Sequence, residues 1–310
     1  MITVAGIPSP PISWAAFSVG PLTVRVYALC ILAGIAVAIY ITDRRLRRRG
    51  VPAGAVLDIT LLIVPLGIVG ARIYHVLTHT GDYFYPGANL WSVVAIWDGG
   101  VAVYGSMIGG AIGIAIGCRR AGLRFWAFAD ALAPGMLAAQ AIGRLGNYFN
   151  HELFGLPTTL PWGLEIPAGD PRLPAGLPAG TLFHPLFLYE MIWNLIGIGL
   201  ILLIEKRVAL QWGKAIAVYL IWYGLGRSWL EAIRIDPTSD AFLGVPANDW
   251  TSFLAIAIGI TLLVVQSRRH PEPEPSPYFR PPAPTGAAQG APIASASAPL
   301  EVVDESDRSR

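Results

Sequence analysis

Two short stretches of the chain concentrate side chains that could bind an anion or move a proton. The first, GRLGNYFNHELFG (143–155), directly follows an apolar run and contains Arg144, Asn147 and Glu152. An arginine presents a planar fork of N–H donors that matches phosphate oxygens, and it stays charged at any accessible pH. A carboxylate beside it can orient the arginine or accept a proton. The stretch therefore predicts a polar site at the end of an apolar helix.

The second stretch, YGLGRSWLEAIR (223–234), places Tyr223, Arg227, Glu231 and Arg234 at steps of four, four and three residues. This spacing puts the four side chains on one face of a helix. Because Arg144 and Arg227 belong to separate segments, we predict that they clamp a phosphodiester from two sides. A purely structural ion pair between Arg227 and Glu231 would give the same spacing.

The composition predicts a membrane protein. Of the 310 residues, 54% are hydrophobic and 14% are charged, with a mean hydropathy of +0.54, whereas soluble domains carry about 25% charged residues. A membrane-spanning helix needs about 20 predominantly apolar residues. We therefore predict an all-α polytopic membrane protein with seven transmembrane helices, near residues 21–42, 55–77, 99–118, 126–146, 185–204, 213–233 and 250–267. In the third of these, the spacing of Gly105, Gly109 and Gly113 favours close helix contact.

The basic residues predict the orientation of these helices. Arginine and lysine cluster after the first, third, fifth and seventh segments, while residues 1–20 and 78–98 contain neither. By the positive-inside rule, the N-terminus lies outside and the C-terminus is cytoplasmic. We predict a seven-helix catalytic domain over residues 1–270, in which residues 147–184 form a small extracytoplasmic head between helices four and five. Residues 271–310 are rich in Pro, Ala and Ser and predict a disordered cytoplasmic tail.

With this topology, hydrogen-bonding side chains from six segments fall in the outer half of the membrane, and the inner halves are nearly bare. Charges at this depth are sustained only if they face one another, water or a polar ligand, so we predict one polar cavity that opens to the outside. Phospholipid head groups are the phosphodiesters available there. An enzyme that acts on a lipid head group and a lipid or solute carrier both fit this pattern. Snorkelling to the interface would also explain Arg25 and Arg234, and helix capping would explain His151 and His184.

Four motifs, in order, resemble those of the prolipoprotein diacylglyceryl transferases: VRVY (24–27), GRLGNYFNHELFG, HPLFLYE (184–190) and YGLGRSWLEAIR. The likeness covers roughly residues 15–268. It implies transfer of a diacylglyceryl group from phosphatidylglycerol to the thiol of the lipobox cysteine of a preprolipoprotein, the first step of bacterial lipoprotein maturation. The products are a thioether-linked lipoprotein precursor and glycerol phosphate. The reaction would occur at the outer face of the bacterial cytoplasmic membrane, with no metal, no soluble cofactor and no nucleic acid.

The resemblance also implies which residues carry the activity. The matching signature positions are Arg144, Asn147, Glu152 and Gly155, and the further functional positions are Tyr27, Arg227, Glu231 and Arg234. We expect His184 to contact the substrate and Glu152 to hold Arg144 or an amide in place. Many members of the family have a histidine, favoured as the base, where this chain has Tyr104. A tyrosine hydroxyl is a poor base at neutral pH, so the base is either Tyr104 or no dedicated residue at all.

Overall fold

The computed structural model describes residues 6–170, 172–173, 176–178, 180–235 and 243–280. These residues contain eight α-helices: α1 Val26–Arg47, α2 Ala55–Thr78, α3 Thr80–Tyr83, α4 Val103–Ala121, α5 Phe125–Phe149, α6 Leu186–Glu205, α7 Lys214–Glu231 and α8 Ala247–Arg269. The seven long helices match the seven predicted segments to within about five residues. The first segment differs most, because residues 22–25 form a β-strand and the helix begins only at Val26.

Five of the helices in the described part of the chain are long and apolar enough to cross a membrane: α1, α2, α5, α6 and α8. The other two long helices are less apolar for different reasons. Helix α4 is rich in glycine, and α7 carries Lys214, Arg227 and Glu231. The protein is therefore mostly helical and has the features of a multi-pass membrane protein. The number of seven spans and their orientation stay predictions.

Helix α5 is the central element of the bundle, since it packs against α1, α6 and α7. Its buried positions are mostly small, with Ala133 and Ala141 among them, and small side chains let neighbouring helices approach closely. Helices α2 and α4 form the tightest pair. A Cβ atom at Gly105 would lie 2.1 Å from the carbonyl oxygen of Gly70, and one at Gly109 would lie 2.1 Å from that of Leu66. The predicted close packing of the α4 glycines is confirmed.

The chain also forms two small β-sheets, which the all-α prediction missed. The strands are β1 Ile7–Pro8, β2 Ala16–Val19, β3 Leu22–Arg25, β4 Pro157–Thr158, β5 Leu164–Glu165 and β6 Leu182–Phe183. Strands β2 and β3 form an antiparallel hairpin, while the other four make a sheet in the order β1-β5-β6-β4. In this sheet β1 pairs parallel with β5, and the other pairs are antiparallel. Phe154, Leu164 and Phe183 form its buried core. The strands of this sheet have only two residues each and leave no alternating pattern in a sequence, which explains why they were not predicted. Strand β3 lies at the start of the first apolar segment, where it was read as part of the helix.

The segment 271–280 differs from the predicted disordered tail, because it packs against the helix bundle. The Glu274 side chain is fully buried, and its Oε2 lies 2.6 Å from Nη2 of Arg49. The backbone of Phe279 donates to the carbonyl oxygen of Gly122, and that of Arg124 donates to Pro277. Composition alone cannot reveal such long-range pairing. The remainder of the predicted tail, residues 281–310, lies outside the described residues.

One buried acid lies in the half of the bundle that was expected to be nearly bare. Asp130, near the start of α5, is 3% exposed. Its carboxylate accepts hydrogen bonds from the backbone N–H groups of Gly213, Ala215 and Ile216, at 2.7, 2.9 and 3.1 Å. The first N–H groups of a helix have no partner within the helix, and a negative charge there is favourable. Asp130 thus caps α7 from a neighbouring helix.

Candidate active site

Arg144 and Arg227 line one cavity between α5, α6 and α7, as the spacing of the two arginine motifs predicted. The other polar groups around it include Gln140, Glu190 and Tyr223. Three consecutive helices therefore bring the guanidinium groups of two residues 83 positions apart to the same small space. The cavity has a volume of about 20 Å³, enough for about one water molecule. The two guanidinium groups could contact a phosphate group at this position once the surrounding side chains move apart to admit it.

The guanidinium group of Arg144 is held by two contacts. Its Nε lies 2.6 Å from Oε2 of Glu190, and its Nη1 donates to Oδ1 of Asn147 at 3.2 Å. The Glu190 side chain is 9% exposed and Asn147 is 6% exposed, so both partners are held in the packed interior. These contacts use two of the five N–H donors of the arginine. The others can therefore serve an anion in the cavity.

A second buried carboxylate organises the arginines of α7. Oε2 of Glu231 lies 3.0 Å from Nη2 of Arg227 and 3.4 Å from Nη1 of Arg234. Its other oxygen accepts a hydrogen bond from Nδ2 of Asn248 at 3.1 Å. The prediction of one helical face holds for Tyr223, Arg227 and Glu231, which lie on α7, but it is wrong for Arg234, which follows the end of the helix and forms a β-bridge with Gly155. Glu231 fixes both arginines at once.

Of the two partners expected for Glu152, Arg144 is not in contact with it, whereas the amide of Asn150 donates a hydrogen bond to it. The Glu152 side chain is 39% exposed, with Oε1 at 3.7 Å from Nη2 of Arg172 and at 3.4 Å from Nδ2 of Asn150. Helix α5 ends at Phe149, and His151 then adopts a positive φ of 53°. The chain therefore turns away from the helix axis before Glu152. Glu190 of the HPLFLYE motif takes the expected role instead.

Gly155 and His184 contact each other through their backbones rather than through the cavity. The N–H of Gly155 donates to the carbonyl oxygen of His184 at 2.9 Å. A Cβ atom at Gly155 would lie 2.7 Å from Cβ of His184 and 2.8 Å from the carbonyl oxygen of Ile233, so the close approach requires glycine. The His184 ring, through Nδ1, lies 3.1 Å from the hydroxyl of Tyr189. Neither residue lines the cavity.

The two predicted tyrosines lie near the site without lining its cavity. Tyr27 packs on the back of α5, where a Cβ atom at Gly146 would come within 2.5 Å of its ring. Tyr104 packs its ring against Tyr74, with centroids 5.9 Å apart. It is also close enough to Tyr223 for the two hydroxyls to interact electrostatically. The described lining of the cavity contains no histidine.

The sequence placed Gln140 and Glu190 among the polar side chains of the outer half, but it assigned neither residue a role in the site. Two features of the sequence could have indicated Glu190: it is the last residue of the HPLFLYE motif, and it follows Leu186 by one helix turn. Gln140 lies one turn before Arg144 on α5, which puts both on the same face. Its Nε2 donates to the hydroxyl of Tyr219 at 2.8 Å, so it links α5 to α7 beside the cavity.

The family comparison agrees with the motifs and the site. A family model described as prolipoprotein diacylglyceryl transferase matches residues 14–265. A phosphatidylglycerol–prolipoprotein diacylglyceryl transferase from Leifsonia xyli subsp. xyli is 59% identical over 283 residues, covering 89% of this chain and 85% of that protein. One from Bifidobacterium longum is 44% identical over 88% and 89% of the two chains, and one from Cutibacterium acnes is 45% identical over 85% and 88%. The resemblance of the four motifs is confirmed, and the chain belongs to the prolipoprotein diacylglyceryl transferase family.

Proposed function

We propose that this chain transfers the diacylglyceryl group of phosphatidylglycerol to the thiol of a lipobox cysteine in a preprolipoprotein. The named relatives are phosphatidylglycerol–prolipoprotein diacylglyceryl transferases. The observation that supports the proposal most directly is the cavity in which Arg144 and Arg227 meet, each paired with a buried carboxylate. A phosphate-binding site at the end of an apolar helix suits a substrate whose head group is polar and whose acyl chains are not.

The chemistry explains why two fixed arginines are useful. The thiolate sulfur attacks the glyceryl carbon, the C–O bond to phosphate breaks, and the electron pair leaves with the oxygen of glycerol phosphate. The phosphate carries one negative charge in the lipid and two in the product, so charge develops on it in the transition state. Donors that are already oriented toward that oxygen lower the barrier, because they bind the developing charge more tightly than the ground state.

The carboxylates of Glu190 and Glu231 position the arginines rather than react. Each is buried and already occupied by a guanidinium group at 2.6 or 3.0 Å. Asn147 is buried and lies outside the described lining of the cavity, so it positions Arg144 by accepting a hydrogen bond at Oδ1. We assign phosphate binding to Arg144 and Arg227, and a positioning role to Asn147.

The loops next to this site are shaped by four further residues: Glu152, Gly155, His184 and Arg234. Three of these residues, Gly155, His184 and Arg234, are joined through backbone contacts. Tyr27 packs against α5 at Gly146, outside the lining of the cavity.

No dedicated base is needed for the thiol. A free cysteine has a pKa of about 8.5, so a small fraction is already thiolate at neutral pH, and adjacent arginines raise that fraction. Tyr104 lies outside the lining of the cavity. We therefore assign Tyr104 a packing role against Tyr74, and we assign thiolate stabilisation to the field of the two arginines.

We also propose the topology that follows from the basic loops: seven spans, N-terminus outside, C-terminus cytoplasmic, in the bacterial cytoplasmic membrane. The catalytic domain comprises residues 1–270 and the packed segment 271–280 that follows them, with 147–184 as an extracytoplasmic head. The small sheet built from β1, β4, β5 and β6 supports a head at the α5–α6 connection. In this arrangement the Arg144 end of α5 faces outside, where phosphatidylglycerol and the lipobox cysteine are both available.

The decisive experiment supplies the purified protein, in lipid nanodiscs, with phosphatidylglycerol and a lipobox peptide. We expect release of glycerol phosphate together with a peptide mass gain of one diacylglyceryl group. A peptide with serine in place of the cysteine should yield neither product. Arg144→Ala should abolish both products, whereas Arg25→Gln, at a position equally basic but away from the cavity, should retain them. Movement of labelled lipid or solute across the membrane without glycerol phosphate release would instead identify a carrier.

A further inference from the structure

A second cavity lies at the opposite end of the bundle from Arg144, between the ends of α1 and α6 and the start of α5. Its volume is about 380 Å³, within the range of about 300–1,000 Å³ usual for small-molecule sites. Asp130 lines it, and Arg144 lies 14 residues further along the same helix. At a rise of 1.5 Å per residue, the two cavities are about 21 Å apart along α5. The second cavity therefore belongs to a different site.

The cavity lining carries an excess of positive charge, from Arg45, Arg48, Arg49, Lys206 and Arg207. Its two carboxylates are already engaged. Glu205 forms a bidentate pair with Arg45, in which Nη1 and Oε2 are 2.9 Å apart, and Asp130 caps α7. Within the described part of the chain, Arg48, Lys206 and Arg207 form no ion pair.

The free cations at the cavity rim favour an anion. Arg48, Lys206 and Arg207 have no carboxylate partner among the described residues, so an anion that entered the cavity would be the counter-charge that they lack. The unpaired Nε atom of Arg45 is closed off from the cavity and does not contribute.

The surroundings of the cavity favour an anion that is attached to a lipid. Leu202 and Leu203 at the end of α6 are 44% and 57% exposed, and Val208 on the cavity rim is 57% exposed. Acyl chains could lie along this apolar surface while the head group enters the cavity. A free phosphate would use the cations but gain nothing from the exposed apolar side chains.

We propose that this cavity binds the phosphate head group of an anionic phospholipid, in the leaflet opposite to that of the proposed catalytic site. Basic pockets between membrane helices are suited to this role, because juxtamembrane cations gain about 1 kcal/mol each near an anionic surface. A ligand that binds only the folded state also stabilises it. The lipid would then link the ends of α1, α5 and α6. The assignment of the leaflet rests on the proposed topology, whereas binding itself does not.

The test measures lipid binding by the purified full chain in detergent, without reference to transferase activity. Phosphatidic acid is the probe, since it is anionic and differs from the proposed substrate, and phosphatidylcholine and inorganic phosphate are the comparison ligands. Native mass spectrometry and thermal unfolding report bound lipid and stabilisation. We expect retention of phosphatidic acid, with little retention of phosphatidylcholine and no stabilisation by inorganic phosphate.

A matched pair of variants separates this cavity from the general basic surface. Lys206→Gln with Arg207→Gln removes two exposed cations at the cavity rim. Arg119→Gln with Arg120→Gln removes two exposed cations at the end of α4, where they line no described cavity. We expect the apparent Kd for phosphatidic acid to rise at least tenfold for the first pair and less than threefold for the second.

Equal changes for the two pairs would overturn the proposal, since they would assign the binding to surface charge alone. Equal stabilisation by inorganic phosphate and by phosphatidic acid would also overturn it, in favour of a site for free anions. Neither result would bear on the release of glycerol phosphate, so the proposed function is tested separately.

Discussion

The buried carboxylate of Glu274 offers a sharp test of whether the segment after α8 belongs to the folded unit. We predict that Glu274→Gln lowers the free energy of unfolding by about 2 kcal/mol. Composition alone assigns this residue to a disordered tail, in which the same substitution would have no effect. The structure instead gives Glu274 an ion pair with Arg49 at 2.6 Å and a longer contact with Arg124 at 3.9 Å.

The magnitude follows from the burial of the three side chains. Glu274 is fully buried, whereas Arg49 and Arg124 are 22% and 31% exposed. Breaking a fully buried pair costs about 3–5 kcal/mol, and an exposed pair contributes about 0–1 kcal/mol. This pair lies between the two cases. Glutamine also keeps one oxygen as an acceptor, and the backbone hydrogen bond from residue 274 to Gln211 survives, so the expected cost is about 2 kcal/mol.

The assay is thermal unfolding of the purified protein in detergent, with Glu272→Gln as the control. Glu272 lies two residues earlier and is exposed, so its substitution removes the same charge and should change stability by less than about 0.5 kcal/mol. We expect the Tm of Glu274→Gln to fall by about 4–8 °C, at 2–4 °C for each kcal/mol. Identical Tm values for the two variants would show that the contact with Arg49 contributes nothing and would refute the reasoning.

Three further predictions concern the candidate active site and use single-turnover transfer to a lipobox peptide at saturating phosphatidylglycerol, with the membrane level of each variant checked. Arg144→Ala should lower the transfer rate about 10²–10³-fold, as expected for loss of one transition-state donor. Arg144→Lys should also lower the rate more than tenfold, because lysine keeps the charge but not the bidentate fork. Near-normal rates for the lysine variant would show that the phosphate is held elsewhere. Glu190→Gln should lower the transfer rate about ten- to hundredfold, which corresponds to about 1.5–3 kcal/mol for a hydrogen bond to a charged group. Tyr104→Phe should lower the rate less than tenfold. If Tyr104→Phe instead abolished turnover and removed one limb of the pH–rate profile, Tyr104 would be the base. Glu231→Gln and Arg227→Lys should combine less than additively, since both act on one ion pair, and strict additivity would contradict the coupling.

The meeting of Arg144 and Arg227 could be predicted because it depends only on helix periodicity and on the direction of each helix. The partner of Arg144 could not, because the choice between Glu152 and Glu190 depends on the positive φ of His151, which turns the chain after α5. No local pattern signals this turn.

The long-range contacts could not be predicted from the sequence for a related reason. The pairing of β1 with β5 joins residues more than 150 positions apart, and the burial of Glu274 depends on Arg49 at the end of α1. Both contacts occur in segments rich in proline, whose composition predicts loops or disorder. Composition reports the average tendency of a segment, whereas these contacts depend on single complementary partners.

The cap that Asp130 provides for α7 has a consequence for how the protein is made. The carboxylate is synthesised 83 residues before its first donor, Gly213. At roughly 5–20 residues per second, the ribosome needs on the order of 4–17 s to cover this distance. During that interval Asp130 lacks the three N–H groups that satisfy its carboxylate in the finished bundle. The start of α5 therefore completes its hydrogen bonds only after the first residues of α7 have been made.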